Sequence, residues 1–313
     1  MAKQIQMIGY IGLGNAGYPL ASLLSRAGYE LVVQDADAGR VLKFVGEHKD
    51  SRAATGSPDA FRDVDVLITM LPNGEIVRDV LLGQAGIVKH MKNGAIIVDT
   101  SSSSPYHTQE TGKLLASINS TLTLIDSPVT QEYAFALTKG DATLMVGCSN
   151  AAALQLALPI LKIMGKHVFV MGDLGSGHAM KTLNNYTSGA SILGLCDALL
   201  AGQKFGLDPA QTTDVMNVGT GVNFSTKESF RTDGLTRRFQ SGYQLSLLLK
   251  DMKIAREVVR STGLKSRLSD LIVDEISVAD RVAGAGADHT QVIHAWEERA
   301  GERLKQSKPR AKL

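Results

Sequence analysis

A lysine and an asparagine stand four residues apart after a glycine-rich segment at 172–177. Lys181 and Asn185 fall in a pattern that predicts a long helix over 178–205, and residues at this spacing share one helix face. A lysine in a cleft can donate a proton to a forming alkoxide or remove one from an alcohol, and an adjacent amide can orient it. The same spacing is typical of a solvated helix face. His178, three residues earlier, fits either a group that shares protons with the site or an ordinary polar residue near the helix start.

A second glycine cluster follows the first predicted strand, at 5–11. It comprises Gly12, Leu13, Gly14, Asn15, Ala16 and Gly17. Between a strand and a helix, this spacing lets the backbone approach a pyrophosphate, whose charge the helix N-terminus favours. A glycine-rich turn without a ligand is the alternative. Asp35 ends the next predicted strand, where a carboxylate would bind an adenosine ribose and repel a 2′-phosphate. The unit predicts a site for NAD rather than NADP, a preference that the nearby Asp37 and Arg40 could change.

Apolar runs alternate with amphipathic segments through the first half of the chain, a pattern typical of a parallel sheet covered by helices on both faces. After about residue 172 the strand patterns end and helix patterns continue. We therefore predict an α/β, Rossmann-like N-terminal domain over 1–168 and an all-α C-terminal domain over 169–300, joined by a long interdomain helix. The basic tail at 301–313 is expected to be flexible.

Composition narrows the class of protein. The 33 basic and 31 acidic residues leave a net charge of +2 over 313 residues, so charge favours neither nucleic-acid nor membrane binding. Two cysteines, Cys148 and Cys196, are too few for a disulfide framework or a multi-cysteine zinc site. No histidines and acidic residues cluster at metal-ligand spacing, and we expect no metal. Glycine is abundant: it accounts for 31 of the 313 residues, or about a tenth, and the usual fraction is about 7%.

The chain ends in Ala311-Lys312-Leu313, a tripeptide close to the Ser-Lys-Leu address of peroxisomal proteins. Its first residues lack the charged-then-apolar order of a signal peptide. We expect a cytoplasmic protein, with peroxisomal import as the alternative if the source is eukaryotic.

Six segments in a fixed order make the sequence similar to a known family. They read YIGLGNAGYPLA at 10–21, ITMLPNG at 68–74, DTSSSSP at 99–105, DSPVT at 126–130, GxxGxGxxxKxxNN at 172–185 and LLKDMKIA at 248–255. Through them the chain resembles the β-hydroxyacid dehydrogenases of the 6-phosphogluconate dehydrogenase superfamily, among them 3-hydroxyisobutyrate dehydrogenase and tartronate semialdehyde reductase. The similarity extends from about residue 5 to about residue 263.

The resemblance implies roles for matching positions. Lys181 matches the catalytic general acid/base of the family, and Asn185 matches its helper. Leu71 and Pro72 match a loop against the cofactor, and Ser102 matches a hydroxyl beside the nicotinamide that also contacts substrate.

Lys250 matches a second lysine near the cofactor. Tyr243, which we expect to contact the substrate, stands where relatives often have phenylalanine. The substrate loop departs from the family pattern. Relatives usually follow Asp-Ala-Pro-Val with Ser-Gly-Gly, whereas Thr130, Gln131 and Glu132 occupy these positions here. If Glu132 faces the pocket, its charge would disfavour a simple carboxylate or bind an ammonium group. The alternative is a solvent-facing Glu132.

The sequence therefore predicts an NAD(P)-dependent oxidoreductase that transfers hydride between nicotinamide and a small β-hydroxy acid, or a related semialdehyde or ketone. A β-hydroxy amino acid dehydrogenase and an imine reductase are alternatives, although relatives that reduce imines usually replace the lysine. A non-catalytic dinucleotide-binding scaffold is an alternative of another class. We expect a homodimer or homotetramer.

Overall fold

The computed structural model describes residues 5–54, 56–131 and 136–306. It divides into two compact units, Met1–Lys181 and Thr182–Leu313. The division falls inside a continuous helix of 30 residues, Ser176–Phe205.

The first unit contains a nine-stranded sheet. Its strands are β1 (Met7–Ile11), β2 (Glu30–Gln34), β3 (Ser51–Ala53), β4 (Val66–Thr69), β5 (Ile96–Asp99), β6 (Thr123–Asp126), β7 (Val129–Thr130), β8 (Ala142–Gly147) and β9 (Gly165–Gly172). The order is β3-β2-β1-β4-β5-β6-β8-β7, and β9 also pairs with β8. From β3 to β6 all pairs are parallel. Because the order reverses between β1 and β4, the carboxyl ends of these two strands form the switch point where such sheets bind ligands.

The sequence pattern predicts a parallel sheet, but the sheet is parallel only in part. β8 runs antiparallel to β6 and β7, and parallel to β9. The buried, uniformly apolar face of β8 is compatible with either direction, so its residues alone do not specify how it pairs.

Helices cover both faces of the sheet. They are α1 (Gly17–Arg26), α2 (Ala38–Glu47), α3 (Gly74–Leu82), α4 (Pro105–Ile118), α5 (Ala136–Lys139) and α6 (Ala151–Met164), with short 3₁₀ turns at Pro58–Phe61 and Ile87–His90. Alternate strand residues enter two separate cores. Ile8 and Tyr10 pack in one core with α1 and α6, whereas Leu67 and Ile97 pack in the other. The strands are therefore apolar on both sides, as expected for a sheet between two helix layers.

The second unit is helical in its described residues. After α7 (Ser176–Phe205) come α8 (Pro209–Val218), a π-helix (Ser225–Gly234), α9 (Leu245–Ser261), α10 (Arg267–Ala283), a 3₁₀ turn (His289–Val292) and α11 (Ile293–Ala300). Gly189 of α7 faces Met252 of α9 so closely that a Cβ atom there would overlap the sulfur. At least this glycine in the long helix allows close helix packing. None of the helices in the described residues is long and apolar enough to cross a membrane.

Candidate active site

The loops that follow the parallel strands lie along one edge of the sheet in the first unit. Each loop is held to the neighbouring strand by a backbone hydrogen bond. The Thr100 amide donates to the Thr69 carbonyl at 2.8 Å, and the Ser127 amide donates to the Asp99 carbonyl at 2.7 Å. The segments at 12–17, 70–73, 100–104 and 127–128 are therefore neighbours along the carboxyl edge.

The glycine turn after β1 has the geometry of a phosphate-binding turn. Gly12 has a φ of +102°, and a Cβ atom there would overlap the Met70 carbonyl. A Cβ on Gly17 would overlap the Gly12 carbonyl, so both positions require glycine. Ala16 precedes α1 and has no side-chain acceptor for the first amides of the helix. These amides, at the positive end of the helix dipole, can bind an anion.

Gly14 is the position in this turn where a substitution can affect ligand binding without affecting folding. A Cβ there would meet only the Arg40 guanidinium, at 3.8 Å, which is ordinary van der Waals contact. Gly14→Ala is therefore expected to fold normally but to weaken dinucleotide binding by about tenfold or more, because the methyl group obstructs the approach of a pyrophosphate. Gly17→Ala should lower the melting temperature as well. Thermal denaturation and NADH fluorescence titration of both variants test this, and unchanged binding in Gly14→Ala would contradict it.

Asp35, the residue directly after β2, binds the glycine turn. Its Oδ2 accepts the Leu13 amide at 2.6 Å, and its Oδ1 accepts the Asp37 amide at 2.8 Å. The Arg40 Nη1 lies 3.7 Å from Oδ1, on a half-exposed side chain. Asp35 thus places a carboxylate beside the turn, as the sequence predicts, and Arg40 adds a cation next to it. Of the other turn residues, Leu13 is buried, whereas Asn15 is exposed.

The loops after β4 and β5 bind each other. The Leu71 amide donates to the Ser101 hydroxyl at 2.9 Å. Leu71 is half-buried, Pro72 is exposed, and Ser102, next to Ser101, is half-buried. These segments can therefore line a cofactor site together.

The altered substrate loop is only partly described. Thr130 ends β7, pairs with Thr143 of β8 and is half-buried. Gln131 is exposed, and Glu132 lies outside the described residues. The role of Glu132 in the pocket stays a prediction.

Lys181 is half-buried on α7, and the start of this helix is held by Asp126. That carboxylate ends β6 and accepts the Gly175 and His178 amides, both at 2.7 Å. Burial raises the pKa of Asp126, while His178 and the two amides oppose the shift. A Cβ on Gly177 would overlap the Met145 carbonyl and approach Asp126. The glycines before Lys181 thus let the helix begin against the end of β6.

In the second unit, three predicted site residues meet at a carboxylate that the sequence reading did not single out. Asp251 accepts Asn185 Nδ2 at 2.7 Å and the Tyr243 hydroxyl at 2.6 Å on the same oxygen. Lys250 Nζ lies 3.2 Å from its other oxygen. Burial and Asp251 raise the pKa of Tyr243 well above its usual value, so the hydroxyl is a donor and not a base. The signal for Asp251 was present in the Lys250-Asp251 pair of the LLKDMKIA segment.

Together, a doubly wound sheet, a glycine turn at its switch point and a following helical unit define a dinucleotide-binding protein. Residues 7–172 match the NAD binding domain of 6-phosphogluconate dehydrogenase, and residues 175–296 match the NAD-binding domain of NADP-dependent 3-hydroxyisobutyrate dehydrogenase. The chain belongs to the 3-hydroxyisobutyrate dehydrogenase-like β-hydroxyacid dehydrogenase family, which confirms the resemblance and the fold class. It is an NAD(P)-dependent oxidoreductase that acts on CH–OH groups.

Two relatives and one solved structure illustrate the match. The chain is 30% identical to 2-(hydroxymethyl)glutarate dehydrogenase of Eubacterium barkeri, covering 96% of this chain and 98% of that protein. It is 30% identical to 3-hydroxyisobutyrate dehydrogenase of Pseudomonas aeruginosa, covering 90% and 94%. A structure of Mycobacterium tuberculosis 3-hydroxyisobutyrate dehydrogenase with L-serine has a TM-score of 0.82 and 24% identity, covering 94% and 99%. At this identity the last match concerns the fold.

Within the described residues, no group of three or more His, Cys, Asp or Glu side chains is placed to hold a metal ion.

Proposed function

We propose that the protein interconverts a small β-hydroxy acid and the corresponding semialdehyde or ketone, with Lys181 as the general acid/base. The observation that supports this most is the position of Lys181. It lies on the helix that begins against the end of β6, at the same sheet edge as the glycine turn. Two relatives are named for 2-(hydroxymethyl)glutarate and 3-hydroxyisobutyrate, which are both β-hydroxy acids.

In the proposed reaction, different residues of the chain bind the cofactor, transfer the proton and contact the substrate. A bound NAD(P) supplies the hydride acceptor or donor. Lys181 removes the hydroxyl proton during oxidation and returns it during reduction, and Asn185 orients the reacting groups. Ser102 and Thr130, with Gln131 and Glu132 of the altered loop, contact the substrate. The glycine turn holds the pyrophosphate with backbone amides.

Turnover with a substrate panel tests this function. We expect reduced nicotinamide to form or disappear with at least one β-hydroxy acid, semialdehyde or ketone, monitored by its absorbance. The panel also includes β-hydroxy amino acids and cyclic imines, because turnover restricted to either would replace the proposed substrate class. Dinucleotide binding without turnover of any compound would contradict the proposed substrate class.

We propose NAD as the preferred cofactor, on the basis of the Asp35 carboxylate beside the turn. Asp35→Asn retains an oxygen that can accept the Leu13 amide but removes the negative charge. We expect this variant to raise kcat/KM with NADPH relative to NADH by about tenfold, because repulsion of the 2′-phosphate ends and Arg40 remains. Asp35→Ala should weaken the binding of both cofactors, because the Leu13 amide in the turn loses its acceptor. An unchanged cofactor ratio in Asp35→Asn would argue against the assignment.

We further propose a homodimer or homotetramer. Large apolar side chains are exposed on the second unit, including Phe205 (86% exposed), Val215 (64%) and Val218 (82%), and such side chains are typical of association surfaces. Light scattering of the purified protein measures the assembly. We propose a cytoplasmic location, and the tripeptide at 311–313 that motivates peroxisomal import lies outside the described residues.

A further inference from the structure

The side chain of His178 is fully buried in the first turn of α7. It contacts three other parts of the first unit. Its Nδ1 lies 2.8 Å from the Thr108 hydroxyl of α4, and its Nε2 lies 3.0 Å from the Ser101 carbonyl in the loop after β5. The carboxylates that end β5 and β6, Asp99 and Asp126, flank the ring at 3.8 and 3.7 Å. The imidazole therefore joins the start of α7 to α4 and to the loop after β5.

The direction of these hydrogen bonds follows from the acceptors. A carbonyl oxygen only accepts, so Nε2 has the proton and donates to Ser101. The Thr108 Oγ1 lies near both Nδ1 and the Ser104 carbonyl, which is 3.1 Å away. A neutral ring accepts the Thr108 proton, whereas a cationic ring donates to that oxygen, which then donates to Ser104. The donation from Nε2 to the Ser101 carbonyl is the same for either ring form.

The flanking carboxylates bind the same two segments as the ring. Asp126 accepts the amides of Gly175 and His178 at the start of α7. Asp99 Oδ1 accepts the Ser101 amide at 3.0 Å. All of these side chains are buried, and buried hydrogen bonds to charged groups are stronger and more directional than exposed ones. The network thus fixes the distance between the helix start and the loop.

We propose that His178 is a positioning residue that fixes Lys181 relative to the loop containing Ser102. Lys181 follows His178 by three residues, less than one helical turn, so a displaced first turn displaces the lysine. Ser102 adjoins Ser101, whose carbonyl His178 binds and whose hydroxyl holds the Leu71 amide. The proposal rests on the proposed function of Lys181, and it concerns a position that the family motif GxxGxGxxxKxxNN leaves open.

Two variants and a control test the proposal. His178→Leu removes both hydrogen bonds, whereas His178→Gln retains a side-chain donor and an acceptor. Leu115→Val removes buried packing from the same α4 helix and serves as the stability control. We expect His178→Leu to lower kcat by about 10- to 100-fold, to leave KM for the dinucleotide within about twofold, and to be partly rescued by His178→Gln. Leu115→Val should change the melting temperature but not kcat.

Amide hydrogen exchange of the cofactor-free protein gives a readout independent of activity. Exchange at 101–104 and 175–181 should rise in His178→Leu and stay near wild type in Leu115→Val. Wild-type kcat and exchange in His178→Leu would overturn the proposal. Equal losses of kcat in the Leu and Gln variants, in proportion to their losses of melting temperature and accompanied by a similar loss of kcat in Leu115→Val, would also overturn it. If the wild-type protein turns over no compound of the panel, the proposed function fails, and exchange alone decides whether His178 holds the two segments.

Discussion

Replacing Lys181 with methionine is expected to reduce kcat by about 10²- to 10⁴-fold, the usual contribution of a positioned general acid or base. Methionine retains an unbranched apolar chain at this half-buried position, so the helix should form normally. Dinucleotide affinity should change little, because the variant leaves the glycine turn and Asp35, the proposed contacts of the pyrophosphate and ribose, unaltered. Steady-state kinetics in both directions and NADH fluorescence titration measure the two effects separately.

Lys181→Arg distinguishes proton transfer from simple charge. Arginine keeps the positive charge but stays protonated at accessible pH. The kcat of Lys181→Arg should therefore be nearly as low as that of Lys181→Met. Lys162→Met, which removes an exposed lysine from α6, is the matched control and should retain wild-type kcat. Near wild-type turnover in Lys181→Met would refute the assignment of the acid/base. Full activity in Lys181→Arg would instead indicate an electrostatic role.

Local patterns predicted much of the fold. The helix pattern predicts a long helix over 178–205, which runs from Ser176 to Phe205 in the structure. The same kind of pattern predicts helices over 209–218 and 245–261, and these are the observed bounds of α8 and α9. The misses have physical causes. β3 has only three residues, Ser51–Ala53, with little apolar pattern. Apolar periodicity also predicts a helix over 289–304, but His289–Val292 forms a 3₁₀ turn capped by Asp288, and α11 covers only Ile293–Ala300. Such short-range competition between helix types leaves little trace in hydrophobic periodicity.

The candidate site was predictable only where it is local in sequence. The glycine turn lies within six consecutive residues, and Lys181 lies in a compact motif, so both could be found from spacing. The partners that hold the residues around Lys181 on α7 are distant in the chain. Asp126 binds the His178 amide across 52 residues, and Asp251 binds Asn185 across 66 residues. A buried aspartate in an apolar segment gives no indication of its partners until the chain is folded.

Asp251→Ala is expected to cause the second large loss. The buried carboxylate, 5% exposed, accepts hydrogen bonds from Asn185 and Tyr243 and pairs with Lys250. Its removal takes the acceptor from Asn185 Nδ2 and the Tyr243 hydroxyl, and a donor left unsatisfied away from water costs about 1–3 kcal/mol. We expect unfolding free energy to fall by about 2–4 kcal/mol and kcat/KM to fall by about 10²-fold, since Asn185 loses its orientation. Urea denaturation and steady-state kinetics measure both.

Tyr243→Phe is the matched control for Asp251. It removes a single donor and retains the aromatic ring. The unfolding free energy should fall by only about 0.5–1.5 kcal/mol, the net value of one hydrogen bond. The kcat/KM should stay within a few-fold of wild type, because Asn185 keeps its acceptor. If Asp251→Ala loses no more stability and activity than Tyr243→Phe, the carboxylate does not hold Asn185 in place. If activity falls in Asp251→Ala while Asn185→Ala is silent, Asp251 acts through Lys250 instead.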